Sequence, residues 1–164
     1  MIELLVLDVD GCLSDGKITY DSNGVETKSF DVKDGLAIAT WIRMGKKVAI
    51  ITGRKSSIVE KRANELNIPY LFQGIRDKQS KLKELLETLK LDISEVAAIG
   101  DDLNDYHMLK SVKLSFTPQN GSKYIRDIVD VVLEKDGGAG AVREMIEYII
   151  KKDNTEKRFL QEWI

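Results

Sequence analysis

The chain has only one cysteine, Cys12, so no disulfide can close within it, and that usage fits a reducing, cytoplasmic setting. It has one histidine, His107, so soft and imidazole ligands are too few for a zinc centre. A dominant charge sign is also missing. Lys and Arg number 25 against 27 Asp and Glu, and a net charge of −2 gives no general attraction to nucleic acid or an anionic membrane. No apolar run approaches the roughly 20 residues of a membrane span. The first residues lack the basic-then-apolar pattern of a secretory leader. What remains is ordinary globular material, 43% hydrophobic and 32% charged over 164 residues, enough for one domain over 1–164.

Strand-length apolar runs alternate with helical spacing along this domain. The strands are IELLVLD (2–8), KVAIIT (47–52), PYLF (69–72), VAAIG (96–100), VKLSF (112–116) and DVVLE (130–134). Helical patterns cover Gly35–Arg43, Ser56–Leu66, Gln79–Leu89, Asn104–Lys110 and Asn120–Ile125. Several strands are apolar throughout, as parallel strands covered on both faces are. The fold class is α/β, a Rossmann-like open parallel sheet flanked by helices. One segment breaks the alternation: KITYDSNGVETKSF (17–30) carries an Asn-Gly hairpin signal where a helix is due. Its apolar residues Ile18, Tyr20, Val25 and Phe30 need cover from their own domain or from another subunit.

In such a sheet, ligands bind beyond the carboxyl ends of the strands. The first strand delivers Asp8 and Asp10 there, the second Thr52, Gly53 and Arg54, and a later one Asp101, Asp102, Asn104 and Asp105. Lys78 opens the helix after PYLF. Carboxylates gathered in a crevice repel one another unless a cation neutralises them, and hard oxygens select Mg²⁺. A hydroxyl, a loop N–H and an ammonium beside that cation describe a phosphoryl pocket. On an extended strand Asp8 and Asp10 face the same side. One carboxylate can then attack phosphorus while the other moves the protons.

DVDG, ITGR, Lys78 and GDDLND follow the order of the four motifs of the haloacid-dehalogenase-like phosphatases, which the whole chain resembles. The resemblance implies Asp8 as nucleophile, Asp10 as acid and base, and Thr52 and Lys78 as phosphate grips. It implies Mg²⁺ held by Asp8, Asp101 and the main-chain carbonyl of Asp10, with Asp102, Asn104 and Asp105 in support. DVDGCLSDG, FDVKDG, ITGRKS and KDGGAGAVRE narrow it further. They resemble the capless branch that acts on 3-deoxy-D-manno-octulosonate 8-phosphate in lipopolysaccharide sugar synthesis. That branch implies a small acidic sugar phosphate as substrate and no cap domain. It also implies a homotetramer in which one subunit's hairpin closes its neighbour's site. Its substrate contacts fall on Asp31, Val32, Lys33, Asp34, Gly35, Arg54 and Arg62, beside Asp10, Gly53 and Lys78.

Other readings compete. A receiver-like phospho-acceptor shares the fold and Mg²⁺, but there the paired acids do not include the phosphorylated strand-end aspartate. A sugar-binding module without catalysis would be missing a motif residue, and none is missing. A nine-carbon acidic sugar 9-phosphate is the alternative substrate. Cys12 reads as a buried filler and His107 as structural. Asp102 serves either the site or solvent. GGAGAV (137–142) is a loop leading into a helix, with Arg143 either near substrate or not. The tail over 153–164, with Phe159, Leu160, Trp163 and Ile164, docks on the body or on a neighbour.

Overall fold

The computed structural model describes residues 1–164. The first half runs β1 (Leu4–Leu7), β2 (Thr19–Tyr20), β3 (Glu26–Thr27), α1 (Val32–Arg43), β4 (Lys47–Ile51), α2 (Ser57–Glu65), β5 (Tyr70–Phe72) and α3 (Lys78–Leu89). The second half runs β6 (Val96–Ile99), α4 (Tyr106–Ser111), β7 (Leu114–Thr117), α5 (Lys123–Arg126), β8 (Val131–Val132), α6 (Ala141–Lys152) and α7 (Glu156–Gln161). Six strands form one sheet in the order β5-β4-β1-β6-β7-β8, and every pair in it is parallel. Every expected strand and helix is there, most of them with shifted ends.

The continuous apolarity of the strands has its cause in two cores. Leu5 and Leu7 of β1 join Ile38 and Trp41 of α1 and Met145 and Ile149 of α6 on one face. Leu4 and Val6 join Leu82 and Leu85 of α3 and Met108 of α4 on the other. Successive residues of a strand point to opposite faces, so both must be apolar.

Strand order also fixes where a ligand can sit. After β1 the chain crosses to β4 on one side, and after β5 it returns to β6 on the other. The sheet therefore has its switch point at β1, where the connections diverge and leave a crevice at the carboxyl ends. Asp8, Thr52 and Gly100-Asp101 follow the three strands that border it.

The segment after β1 is a hairpin, as its Asn-Gly pair predicts, but a short one. Thr19 pairs with Thr27 and Tyr20 with Glu26. The turn is held by Asp21, whose carboxylate accepts from the amides of Asn23 (2.8 Å) and Val25 (2.9 Å). Ile18, Tyr20 and Val25 are exposed, while Phe30 packs against the core under the guanidinium of Arg62.

Helix α1 starts at Val32 rather than at Gly35, because Asp31 caps it by accepting from the amides of Lys33 (2.7 Å) and Asp34 (3.2 Å). Helix α6 has no cap of its own. Its third amide, Arg143 N, donates instead to Asp34 Oδ1 at 2.7 Å, so a residue of α1 caps a helix 109 positions away. Helix α7 and the residues after it dock on their own chain through Phe159, Arg158 and Trp163, while Leu160 and Ile164 of the expected docking set stay exposed. Phe159 is buried, Arg158 donates to the Met44 carbonyl (2.6 Å), and the Trp163 indole donates to Thr40 Oγ1 (2.9 Å).

Asp34 yields a measurable consequence. It is 1% exposed, its Oδ2 has no partner, and burial pushes its carboxyl up to about 6 against the pull of the Arg143 amide. A carboxyl raised in the folded state contributes stability that is full below about pH 4 and lost as pH rises through about 6. Asp34→Asn keeps an acceptor for Arg143 N and removes the charge. Unfolding free energies from urea titrations at pH 4.5 and 7 should then differ less than in the parent, by on the order of 2 kcal/mol. An unchanged pH slope would show that Asp34 is not the group responsible.

Candidate active site

β1 stops at Leu7, and residues 9–13 form a kinked turn in which Asp10 and Gly11 leave helical geometry. This corrects the expectation of two carboxylates on one extended strand. Asp8 is extended just past the strand (φ −78°, ψ 164°), whereas Asp10 stands on the turn (φ −71°, ψ 115°). The chain bends because Gly11 takes φ 91°, a backbone that glycine tolerates. A Cβ on Gly11 would also collide with the Asp101 carboxylate, so this glycine lets the acid of β6 lie against the loop of β1. Behind the turn, Gly138 N donates to the Cys12 carbonyl (3.0 Å), and a Cβ on Gly137 would strike the carbonyl of Gly11. The glycine-rich loop thus buttresses the turn through backbone alone.

Asp8 and Asp10 still line one open cleft of about 260 Å³, whose nine lining residues include no hydrophobic one. Thr52, Gly53 and Arg54 enter it from the end of β4, and Asp101, Asp102 and Asn104 from the end of β6. Gly16 also lines it, a residue absent from the sequence-based set. Lys78 stands at the first position of α3, whose start is fixed by Asp77 accepting from Ser80 N at 2.9 Å. Its side chain is buried, with Nζ 2.9 Å from Asp8 Oδ1 and 2.5 Å from Asp105 Oδ1.

Asp105 supports rather than lines. It is fully buried, and its Oδ2 accepts from the amides of Asp101 (3.0 Å) and Asp102 (3.4 Å), shaping the loop that carries Asp101. Asp102 does two things. It accepts from Leu103 N (2.8 Å) to start the 3-10 turn at 103–105, and its exposed side borders the cleft.

The electrostatics suit a bound cation. Asp8, Asp101 and Asp105 lie close together, and Lys78 is the one ammonium between them. Burial, followed by the charges of Asp8 and Asp105, pushes the Asp101 carboxyl up to about 8. Burial and Asp105 push Asp8 up to about 6, against the pull of Lys78. Burial works to lower Lys78, but Asp8 and Asp105 outweigh it and its pKa rises. Ligand atoms of Asp8, Cys12 and Asp101 lie within 4.8 Å of one another. Burial and the neighbouring carboxylates keep the Cys12 thiol protonated, so the donors available are hard oxygens. That donor set fits a hard divalent cation such as Mg²⁺.

The remaining sequence-based substrate residues do not enter the cleft of their own chain. Val32 and Lys33 are exposed at the start of α1, and Asp31 and Asp34 act as helix caps. Arg62 donates to the Asp31 carbonyl (3.3 Å) and fills the space left by Gly35, where a Cβ would collide with it. It holds the 31–35 turn in place. Arg143 pairs with Glu147 (2.5 Å) away from the cleft, and His107 stands exposed outside it, edge-on to Tyr106. Two residues that motif reading passed over do reach the site: Lys28 and Glu26 of the hairpin touch Asp10 and Arg54.

Comparison with known proteins agrees with this architecture. Residues 71–146 match the haloacid dehalogenase-like hydrolase family. The 3-deoxy-D-manno-octulosonate 8-phosphate phosphatase KdsC of Escherichia coli K12 is 42% identical over 149 residues, covering 91% of this chain and 79% of its own. A crystal structure of the phosphatase of that name from Moraxella catarrhalis, in complex with magnesium ion, phosphate ion and a KDO molecule, superposes with a TM-score of 0.95. It is 42% identical and covers 99% of this chain and 94% of its own. The cobalt-bound enzyme of Haemophilus influenzae superposes at 0.87 with 36% identity, covering 92% of this chain and 88% of its own. By fold, motif geometry and identity along nearly its whole length, the chain belongs to the haloacid dehalogenase-like hydrolases, in the family of the 3-deoxy-D-manno-octulosonate 8-phosphate phosphatases.

Proposed function

We propose that the protein hydrolyses 3-deoxy-D-manno-octulosonate 8-phosphate, with Mg²⁺ as its resident cation, in the cytoplasmic synthesis of the lipopolysaccharide sugar. The observation that carries this is the meeting of Asp8, Asp10, Thr52 and Asp101 in one polar cleft of a chain 42% identical to these phosphatases. Asp8, Asp101 and the main-chain carbonyl of Asp10 hold the cation, which when bound neutralises the acidic floor and polarises the phosphoryl oxygens.

The chain's own residues perform the remaining steps. The Thr52 hydroxyl, the Gly53 amide and the Lys78 ammonium take the phosphoryl oxygens. Lys78 also holds one oxygen of Asp8 at 2.9 Å and so aims the carboxylate. Asp8 bonds to phosphorus as the bond from phosphorus to the sugar oxygen breaks, and Asp10 gives its proton to the departing alkoxide. Asp10 then removes a proton from water, whose oxygen attacks the aspartyl-phosphate and releases inorganic phosphate and free Asp8. Arg54, on the rim, offers its guanidinium fork to the carboxylate of the sugar acid.

The functional unit in this reading is a homotetramer in which the hairpin arm of one subunit closes the cleft of its neighbour. The exposed Ile18, Tyr20 and Val25 support it, because apolar side chains on a projecting arm need a surface to cover. The test is phosphate release from a panel of eight- and nine-carbon acidic sugar phosphates and glucose 6-phosphate, with the mass of the protein in solution measured alongside. The eight-carbon acid should exceed glucose 6-phosphate in kcat/KM by on the order of 1000-fold, from loss of the carboxylate contact and the accompanying hydroxyls. Preference for the nine-carbon acid would transfer the assignment to that substrate. Equal turnover of glucose 6-phosphate would remove the sugar-acid specificity, and a fully selective monomer would remove the shared site.

A further inference from the structure

A closed ring of four charges joins the hairpin to both catalytic loops. Lys28 Nζ lies 2.5 Å from Asp10 Oδ1 and 3.1 Å from Glu26 Oε1. Arg54 completes the ring, with Nη2 3.2 Å from the same Glu26 oxygen and Nε 3.9 Å from Asp10 Oδ2. The Lys28 side chain is fully covered, on an arm whose neighbouring side chains mostly face solvent. Covered lysines are rare unless they are paired, and a ring that orders this one is more than an isolated surface pair.

Asp10 needs such a hold. Asp8 is buried and fixed by Lys78, but Asp10 stands on a turn with its side chain 21% exposed. Its carboxylate has two partners, Lys28 on one oxygen and Arg54 on the other. An acidic substrate that engages Arg54 draws off one of them, and Lys28 is then what keeps the carboxylate aimed into the cleft. We propose that Lys28 is a positioning residue for Asp10, and that Glu26 in turn fixes Lys28. This rests on the acid–base role given to Asp10 above. The base of the arm thus serves the cleft of its own chain, leaving the apolar tip for another subunit.

The roles separate by leaving group. An alkoxide needs Asp10 to hand it a proton, whereas p-nitrophenolate departs without one. In Lys28→Met, kcat for the eight-carbon sugar phosphate should fall on the order of 100-fold, with KM changed less than about threefold. The rate of the first p-nitrophenolate burst from p-nitrophenyl phosphate should stay within about threefold of the parent, since that step does not call on Asp10. Lys28→Arg should recover most of the loss. Glu26→Gln keeps the lysine and should give the same signature at about tenfold, even if the methionine variant does not fold. Equal losses in the sugar-phosphate kcat and the aryl burst, or an unchanged sugar-phosphate kcat, would overturn the proposal. A parent protein that hydrolyses neither ester would sink the function itself, which is a different result from a working parent indifferent to Lys28.

Discussion

Asp8→Asn leaves a folded protein whose phosphate release falls by about 10⁴-fold or more. The amide cannot attack phosphorus, and the two-step route through an acyl phosphate is closed. The fold should survive because Lys78 is not orphaned: its ammonium keeps Asp105 at 2.5 Å when Asp8 loses its charge. The neighbouring acids also lose a source of repulsion, since Asp8 is one of the charges raising Asp101. The check is rapid quenching of the parent during turnover, followed by mass spectrometry of the peptide that holds Asp8. A phosphate adduct should sit on that residue in the parent and be missing from the variant. A loss of only about tenfold, or an adduct elsewhere, would mean that Asp8 merely binds and that water attacks the ester directly.

That Asp8, Thr52 and Asp101 could be placed together from sequence follows from the parallel sheet. Each residue comes directly after an apolar strand, and parallel strands all release their chain at the same edge. Nothing beyond strand identity was needed, so shifts of a residue or two at the strand ends did no harm. The local geometry was harder to read. Asp8 and Asp10 were expected to share a strand face, yet β1 ends at Leu7 and Asp10 already stands on the turn that follows, which Gly11 at φ 91° then bends away. Gly11 is in turn required by Asp101, a contact across 90 positions of sequence.

Contacts between residues remote in sequence were the ones that no local pattern announced. The stretch DVKDG carries charges that suit an acidic sugar, and in the fold Asp31 also caps its own helix while Asp34 caps α6. A cap on a helix 109 residues away leaves no pattern in the sequence around Asp34. Lys28 and Glu26 were overlooked for a similar reason. Alternation along KITYDSNGVETKSF announces a hairpin but not the direction in which it leans, and that direction alone puts Lys28 on Asp10. The C-terminal end behaves likewise: the apolar character of Phe159 and Trp163 signals docking, while Thr40 and Arg43 as the receiving surface are set by tertiary packing.

Asp101→Asn should make the metal-free protein more stable while destroying its activity. In the absence of a cation, the carboxyls of Asp101 and Asp8 are pushed up to about 8 and about 6, first by burial and then by neighbouring charges. Both lie above the unfolded value near 4, so their contribution to stability is full below about pH 4. It is lost as pH rises through about 6 and then about 8. Metal-free protein should therefore melt at a lower temperature at pH 8 than at pH 6, and Mg²⁺, which binds only the folded site, should reverse the difference. The asparagine variant lacks the carboxyl pushed up to about 8. Without metal at pH 8 it should exceed the parent by on the order of 3 kcal/mol, vary less than the parent between pH 6 and 8, and respond weakly to Mg²⁺. Turnover should fall at least about 1000-fold, since the cation loses one of its two side-chain ligands. Such a trade, stability gained where a site gives up its charge, is what a cleft built around a cation predicts. Were the variant less stable than the metal-free parent at pH 8, the Asp101 carboxylate would be making a favourable contact of its own. The electrostatic case for a cation at this cleft would then fail.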